Sequence, residues 1–170
     1  MNRIRERVVA WQKKRVRTVV FPLAGKLCAV ETVEGKRLGQ WQADYDGDTP
    51  NLKECFISLK AAGLRGKKLW LLVNADSLRW SRKRYPQMTE EEFAESMEWE
   101  ADRVFHTEEA IAMGHRVLSH DEEGWEALLH ALPRVDLGAW EMGAHEAGLT
   151  ITRAFPVTDI PLQEGPHFIL

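Results

Sequence analysis

Asp44, Asp46 and Asp48 are the first residues whose type and spacing could do chemistry. Carboxylates at positions 1, 3 and 5 of a loop are how a calcium site begins. The pattern then breaks, because Thr49 stands where the turn needs glycine and Cys55 where a bidentate glutamate belongs. The segment reads instead as a turn into a helix, with Thr49 as N-cap and Pro50 at the first helical position. The six histidines are His106, His115, His120, His130, His145 and His167. None shares a helical face with a second histidine and a carboxylate at ligand spacing; a metal could be held only across strands, by His115 and His130. Cys28 and Cys55 sit in apolar segments and read as buried structural thiols. Two cysteines are too few for a disulfide framework or a four-ligand zinc site, which makes a reduced intracellular compartment the default. The acid pairs Glu98/Glu100 and Glu122/Glu123 read as solvated faces. Phosphate-loop, dinucleotide, nucleophile-elbow and zinc-protease motifs are all missing. These residues nominate no enzyme, cofactor or metal.

The elements that would position any site follow from periodicity. The chain has 170 residues, 44% apolar and 29% charged, enough for one ordinary domain or two very small ones. No apolar run approaches the roughly 20 residues that span a bilayer. In residues 1–15, Ile4, Val8 and Trp11 form a narrow apolar stripe among Arg3, Arg5, Arg7, Lys13, Lys14 and Arg15. A basic amphipathic helix of this kind can lie on an anionic membrane, dock on a partner or pack on its own domain. Val16–Phe21, Leu27–Val33 and Leu38–Tyr45 predict an antiparallel meander, and Leu52, Cys55, Phe56 and Leu59 a helix ended by Gly63. Lys68–Asn74 is a near-continuous apolar run, like a central strand buried on both faces, with Ser77–Tyr85 expected to pair beside it. Thr89 and Glu92 form a capping box, with Met88 and Phe93 as its hydrophobic staple, for a helix to about Val104. Ala110–Leu118 reads as a strand, and Trp125–Leu132 fits either a helix or a hairpin strand. Asp136 is expected to cap a helix ending at Gly148, before a strand over Leu149–Phe155.

Charge divides sharply along the chain. Residues 1–85 hold 19 of 23 Lys+Arg but 8 of 26 Asp+Glu, a balance of +11; the remainder carries −14. Such a split suits two complementary lobes, faces for different partners, or faces that are merely solvated. The basic half lacks aromatic interleaving around its Arg and Lys clusters, so nucleic acid is not an expected partner.

The order from Leu64 to Leu162 resembles the first half of the PilM family, actin-like cytoplasmic proteins of type IV pilus assembly. The carriers are Pro86, the acidic helix start Thr89–Glu92, Trp99-Glu100-Ala101, and Ala147-Gly148-Leu149 leading into a strand. The resemblance covers about three quarters of the chain, with the meander over 16–45 as the matching first sheet. It implies a mixed α/β fold, a two-lobed half of an actin-like molecule: residues 16–85 with 149–170 as one subdomain, and 86–148 as a smaller α/β insert of two helices on a short sheet. The family's first phosphate loop falls at Val19–Gly25, which has no aspartate and contains Pro22, a residue without an N–H for a phosphate cradle. The second phosphate loop and the adenosine site belong to the other half of that fold, and the chain stops about where the strand leading there would begin. The expectation is a piece of a longer protein or one without an ATPase half, with no ATP turnover.

By the same resemblance, the implied role is a protein-interaction scaffold of a pilus or secretion-type machine, peripheral to the inner face of the cell membrane. Its expected partner is the cytoplasmic tail of a single-pass, PilN-like membrane protein, an extended segment lying in a groove between the two subdomains and adding main-chain hydrogen bonds to a strand edge. Homo-oligomers and a membrane contact through residues 1–15 are compatible with this. The alternative is a fragment of a nucleotide-dependent actin-like or sugar-kinase-type ATPase. Trp99, Glu100, Arg103 and Met88 are the expected partner-binding residues. Trp99 lies about 120° around the helix from Phe93, off the apolar stripe of Phe93, Met97, Ala101 and Val104. It is either an exposed anchor flanked by opposite charges or a structural wedge.

Overall fold

A computed structural model describes residues 17–33, 36–47 and 51–157. The expected amphipathic helix over 1–15, the Thr49–Pro50 helix start and the segment from 158 onward lie outside them. The elements are β1 (Arg17–Leu23), β2 (Lys26–Val33), β3 (Lys36–Asp44), α1 (Leu52–Ala61), β4 (Lys68–Val73), a 3₁₀ turn (Ala75–Ser77), β5 (Arg79–Tyr85), α2 (Glu90–Phe105), β6 (Ile111–Asp121), β7 (Gly124–Pro133), α3 (Arg134–Glu146) and β8 (Thr150–Pro156).

The chain divides into two compact units. The larger holds a five-stranded mixed sheet in the order β3-β2-β1-β4-β8. β1, β2 and β3 form the expected antiparallel meander, and β4 runs parallel to both β1 and β8. Ala24 (φ 46) and Gly25 (φ 76) make the tight β1–β2 turn, both in the left-handed region. Past the exposed Lys68, β4 is apolar and mostly buried, with Leu69 and Leu71 inaccessible or nearly so and Leu72 and Val73 buried. Helix α1 buries Leu52, Cys55, Phe56 and Leu59, and the left-handed Gly63 (φ 119) follows its end. Leu64 N–H donates back to Leu59 O at 3.0 Å. Asn51 stands at the N-cap position of α1, and its side chain makes no capping hydrogen bond. Trp140 of α3 packs edge-on against Phe56 at 6.3 Å and beside Tyr45 at 5.5 Å. Gly143 permits this close helix contact, because a Cβ there would meet Leu52 Cβ at 2.8 Å.

The smaller unit, residues 75–138, carries a three-stranded antiparallel sheet, β5-β7-β6, with α2 packed against it. Trp125–Leu132, open between helix and strand from its sequence, is the central strand of this sheet. Its alternating side chains Trp125, Ala127 and Leu129 join Tyr85, Phe93 and Met97 in one cluster. Thr89 caps α2 as expected: Glu92 N–H donates to Thr89 Oγ1 at 3.2 Å, and Thr89 N–H donates to the Glu92 carboxylate at 2.8 Å.

Two placements correct the sequence reading. β5 pairs with β7 rather than beside β4, and β8 occupies that edge of β4 instead. The reason is its alternation, RWSRKRY, which suits an antiparallel strand with one solvated face and cannot fill a parallel position buried on both sides. The second correction concerns α3. It starts at Arg134, whose N–H donates to Ala110 O, with Asp136 in its first turn and not at its cap. From Ala139 onward it belongs to the larger unit, so the units cross near residues 74 and 138 rather than 85 and 148.

β5 also accounts for much of the charge split. Its cations are matched inside the small unit: Arg79 by Glu109 at 3.1 Å, Arg82 by Glu126 at 2.9 Å, Lys83 by Glu100, and Arg84 by Glu123 at 3.0 Å. The basic end of the first half therefore offsets part of the acidic second half's charge locally.

The small unit is expected to weaken in acid. Hydrogen bonds from the Thr89 N–H, then from its hydroxyl, hold the Glu92 carboxyl below its ordinary range, and burial holds His115 below its own. Glu92 thus contributes stability above the unfolded carboxylate pKa, lost as pH falls through the lower native value. His115 is favoured neutral, and its contribution is lost as pH falls below its ordinary value of about 6.5. Thermal melts followed by circular dichroism should show Tm falling steadily from pH 7 to pH 4; a constant Tm would refute this.

Candidate functional site

The four residues expected to bind a partner all belong to the small unit, at or near α2. Trp99 is 77% exposed. Its neighbours one helical turn away are Glu95 and Arg103, which share its side of α2. Arg103 is 73% exposed in its side chain.

Glu100 is elsewhere. It is 4% exposed, points into the unit and is surrounded by Lys83, Tyr85 and Arg103. Arg103 Nη1 donates to Glu100 Oε1 at 3.1 Å, and the Tyr85 hydroxyl donates to Oε2 at 3.4 Å. Burial first, then the Glu100 charge, pushes the Tyr85 phenol above its ordinary range, so Tyr85 stays a donor. A buried carboxylate between two cations holds its partners in place. Glu100 thereby holds the Arg103 guanidinium from inside the unit. Met88 is half-buried against the Tyr85–Phe93–Trp125 cluster, and its carbonyl accepts the Trp125 indole N–H at 2.9 Å. It tethers the entry to α2.

Glu91 and Glu95 were not singled out by sequence, although the signal was present in the four-residue spacing of Glu91, Glu95, Trp99 and Arg103. Both are exposed, and no ion pair engages either among the described residues.

His115 and His130 cannot share a metal. Gly114, not His115, stands opposite His130, so the two imidazoles leave opposite faces of the sheet. His115 meets Phe93 edge-on at 5.4 Å, while His130 lies 5.6 Å from Trp80. Among the described residues no three His, Cys, Asp or Glu side chains converge. No helix among them is long and apolar enough to cross a membrane.

Solved structures share this architecture. The PilM–PilN type IV pilus biogenesis complex contains a chain matched over 84% of this one with a TM-score of 0.62 at 13% identity. The fold is PilM-like. The cytoplasmic domain of EpsL, an inner membrane component of the type II secretion system of Vibrio cholerae, matches 84% of the chain with a TM-score of 0.55 at 15% identity. The chain spans about half of each, 48% and 57% of their lengths. No family model and no curated protein matches the sequence. The mixed α/β fold is the one expected from the sequence.

Because Trp99 packs against little of its own unit, Trp99→Ala should change stability by no more than about 0.5 kcal/mol, as surface substitutions do. A loss of the roughly 3–5 kcal/mol typical of a buried tryptophan would return it to the core.

Proposed function

We propose that the chain is a protein-interaction scaffold of a pilus or secretion-type assembly machine, working at the inner face of the cell membrane. Its ligand is the cytoplasmic tail of a single-pass membrane partner similar to PilN. The observation that carries this is the exposed Trp99 on a helix that opens with a full capping box, in a PilM-like fold. Tryptophan and arginine are the residue types most often found at binding hot spots, and Trp99 and Arg103 stand one turn apart. Arg103 is oriented by the buried Glu100; Met88 fixes the helix start.

ATP turnover is not part of this reading. The β1–β2 connection, where a phosphate loop belongs in the resembled family, is the two-residue turn Ala24-Gly25 preceded by Pro22, and no aspartate stands in it. The alternative, a fragment of a nucleotide-dependent actin-like ATPase, would be favoured by a magnesium-dependent rise in Tm with ATP, since a ligand that binds only the native state must stabilise it.

Isothermal titration of the chain with the tail peptide of a candidate membrane partner is the direct test. Binding at micromolar peptide, weakened by roughly 1–4 kcal/mol in Trp99→Ala, is the expected result. No heat at high micromolar peptide would count heavily against the scaffold reading.

A further inference from the structure

Helix α2 presents an ordered outward stripe. Glu91, Glu95, Trp99 and Arg103 follow one another at four-residue intervals, about 6 Å apart along the axis. All four are exposed. No hydrogen bond or ion pair among the described residues engages Glu91 or Glu95. Arg103 gives one N–H to Glu100, which leaves the outer part of its guanidinium available. From the start of the helix to its end, the stripe therefore reads acid, acid, aromatic, cation.

We propose that this stripe is a docking face for a helical segment of the partner whose side chains complement it: two Lys or Arg, then a large apolar residue, then a carboxylate, at the same spacing along α2. The inference rests on the partner-binding reading above and names the chemistry of that partner. Charge complementarity selects the occupant. A cation set between Glu95 and Trp99 gains the carboxylate and the face of the indole together. A carboxylate opposite Arg103 meets a planar donor already held by Glu100. A four-residue repeat on one helix matches the same repeat on another, whereas a strand would present side chains at a different spacing. Segments that leave a membrane on its cytoplasmic side are enriched in Lys and Arg, which suits the two acidic positions.

The test uses the full chain and two synthetic 18-residue helical peptides. One carries Arg, Arg, Leu and Glu at successive four-residue intervals; the other carries Glu, Glu, Leu and Arg. Isothermal titration at low salt should show the first binding at least tenfold more tightly than the second, with the difference shrinking at 0.5 M salt. Trp99→Ala should weaken the first peptide tenfold or more, and Glu91→Lys with Glu95→Lys should abolish the preference. These positions are exposed, so circular dichroism melts should confirm unchanged folding of each variant. Equal affinity for both peptides, no binding of either, or indifference to both variants would overturn the docking face. A membrane-partner tail that binds the chain but ignores Trp99→Ala would also overturn it while leaving the scaffold reading intact. Peptide discrimination as stated, with no tail binding at all, would sustain the docking face and count against the scaffold.

Discussion

Gly124→Ala is expected to destabilise the small unit by about 4 kcal/mol, at the upper end of what one substitution does. Gly124 opens β7 directly after the Glu122-Glu123 turn, with φ at +128°. An L side chain is strained in that region whatever space surrounds it. Here there is none: a Cβ would lie 2.1 Å from Tyr85 O, 2.8 Å from Pro86 C and 3.0 Å from Gln87 N. These are backbone atoms at the end of β5, so relief requires shifting the strand that positions Lys83 and Tyr85 against Glu100. Urea denaturation should show the loss as a lower midpoint. Gly138→Ala supplies the contrast, since nothing lies within 4 Å of a Cβ there and the residue sits inside α3; it should be neutral or stabilising by up to about 1 kcal/mol. Similar midpoints for the two variants would refute the argument.

Glu31→Ala is expected to cost the large unit about 3 kcal/mol. Glu31 is 3% exposed on β2, the second strand of the five-stranded sheet, yet no ion pair among the described residues holds it. Its Oε1 accepts the backbone N–H groups of Arg65 and Gly66, at 3.0 Å for Arg65, and the Thr18 hydroxyl at 3.4 Å. One carboxylate therefore satisfies the loop that carries the chain from α1 into β4. Its removal leaves donors unpaired, and each buried orphan costs about 1–3 kcal/mol. Gly66→Ala attacks the same clamp from the other side, because a Cβ would meet Thr18 Oγ1 at 1.9 Å. If Glu31→Ala melts within a degree or two of the parent chain, the clamp is not a stabilising element.

What the sequence disclosed and what it withheld divide along contact range. The cap of α2 was legible because Thr89 and Glu92 are three residues apart and interact with nothing else to form it. The meander was legible because each strand pairs with the next one across a short turn. β5 was misplaced because its partner, β7, is more than forty residues away, and alternation names a kind of strand without naming its neighbour. Glu31 gave a signal, a charged residue inside LCAVETV, but its ligands stand 34 and 35 positions on. Trp99 could be placed off the apolar stripe from spacing alone. Whether anything covered it depended on tertiary packing, which periodicity does not encode. Glu100 shows the same limit in reverse: one residue from an exposed anchor, it is buried by a helical turn of 100°, against a lysine that only the sheet brings near.

The larger unit is interrupted by the smaller, and this sets a timetable for synthesis. β1 to β4 leave the ribosome first, but β8 is made only after residues 75–138. Until then one side of β4, the segment KLWLLV, has its main-chain donors and acceptors open. At about 5–20 residues per second, the nascent chain carries that edge for several seconds or more. An unpaired apolar strand edge is a template for association with other chains. A hairpin such as β6–β7 closes in about 1–10 μs, so the pace of synthesis through residues 75–156, not the folding of the inserted unit, sets how long the nascent sheet stays vulnerable.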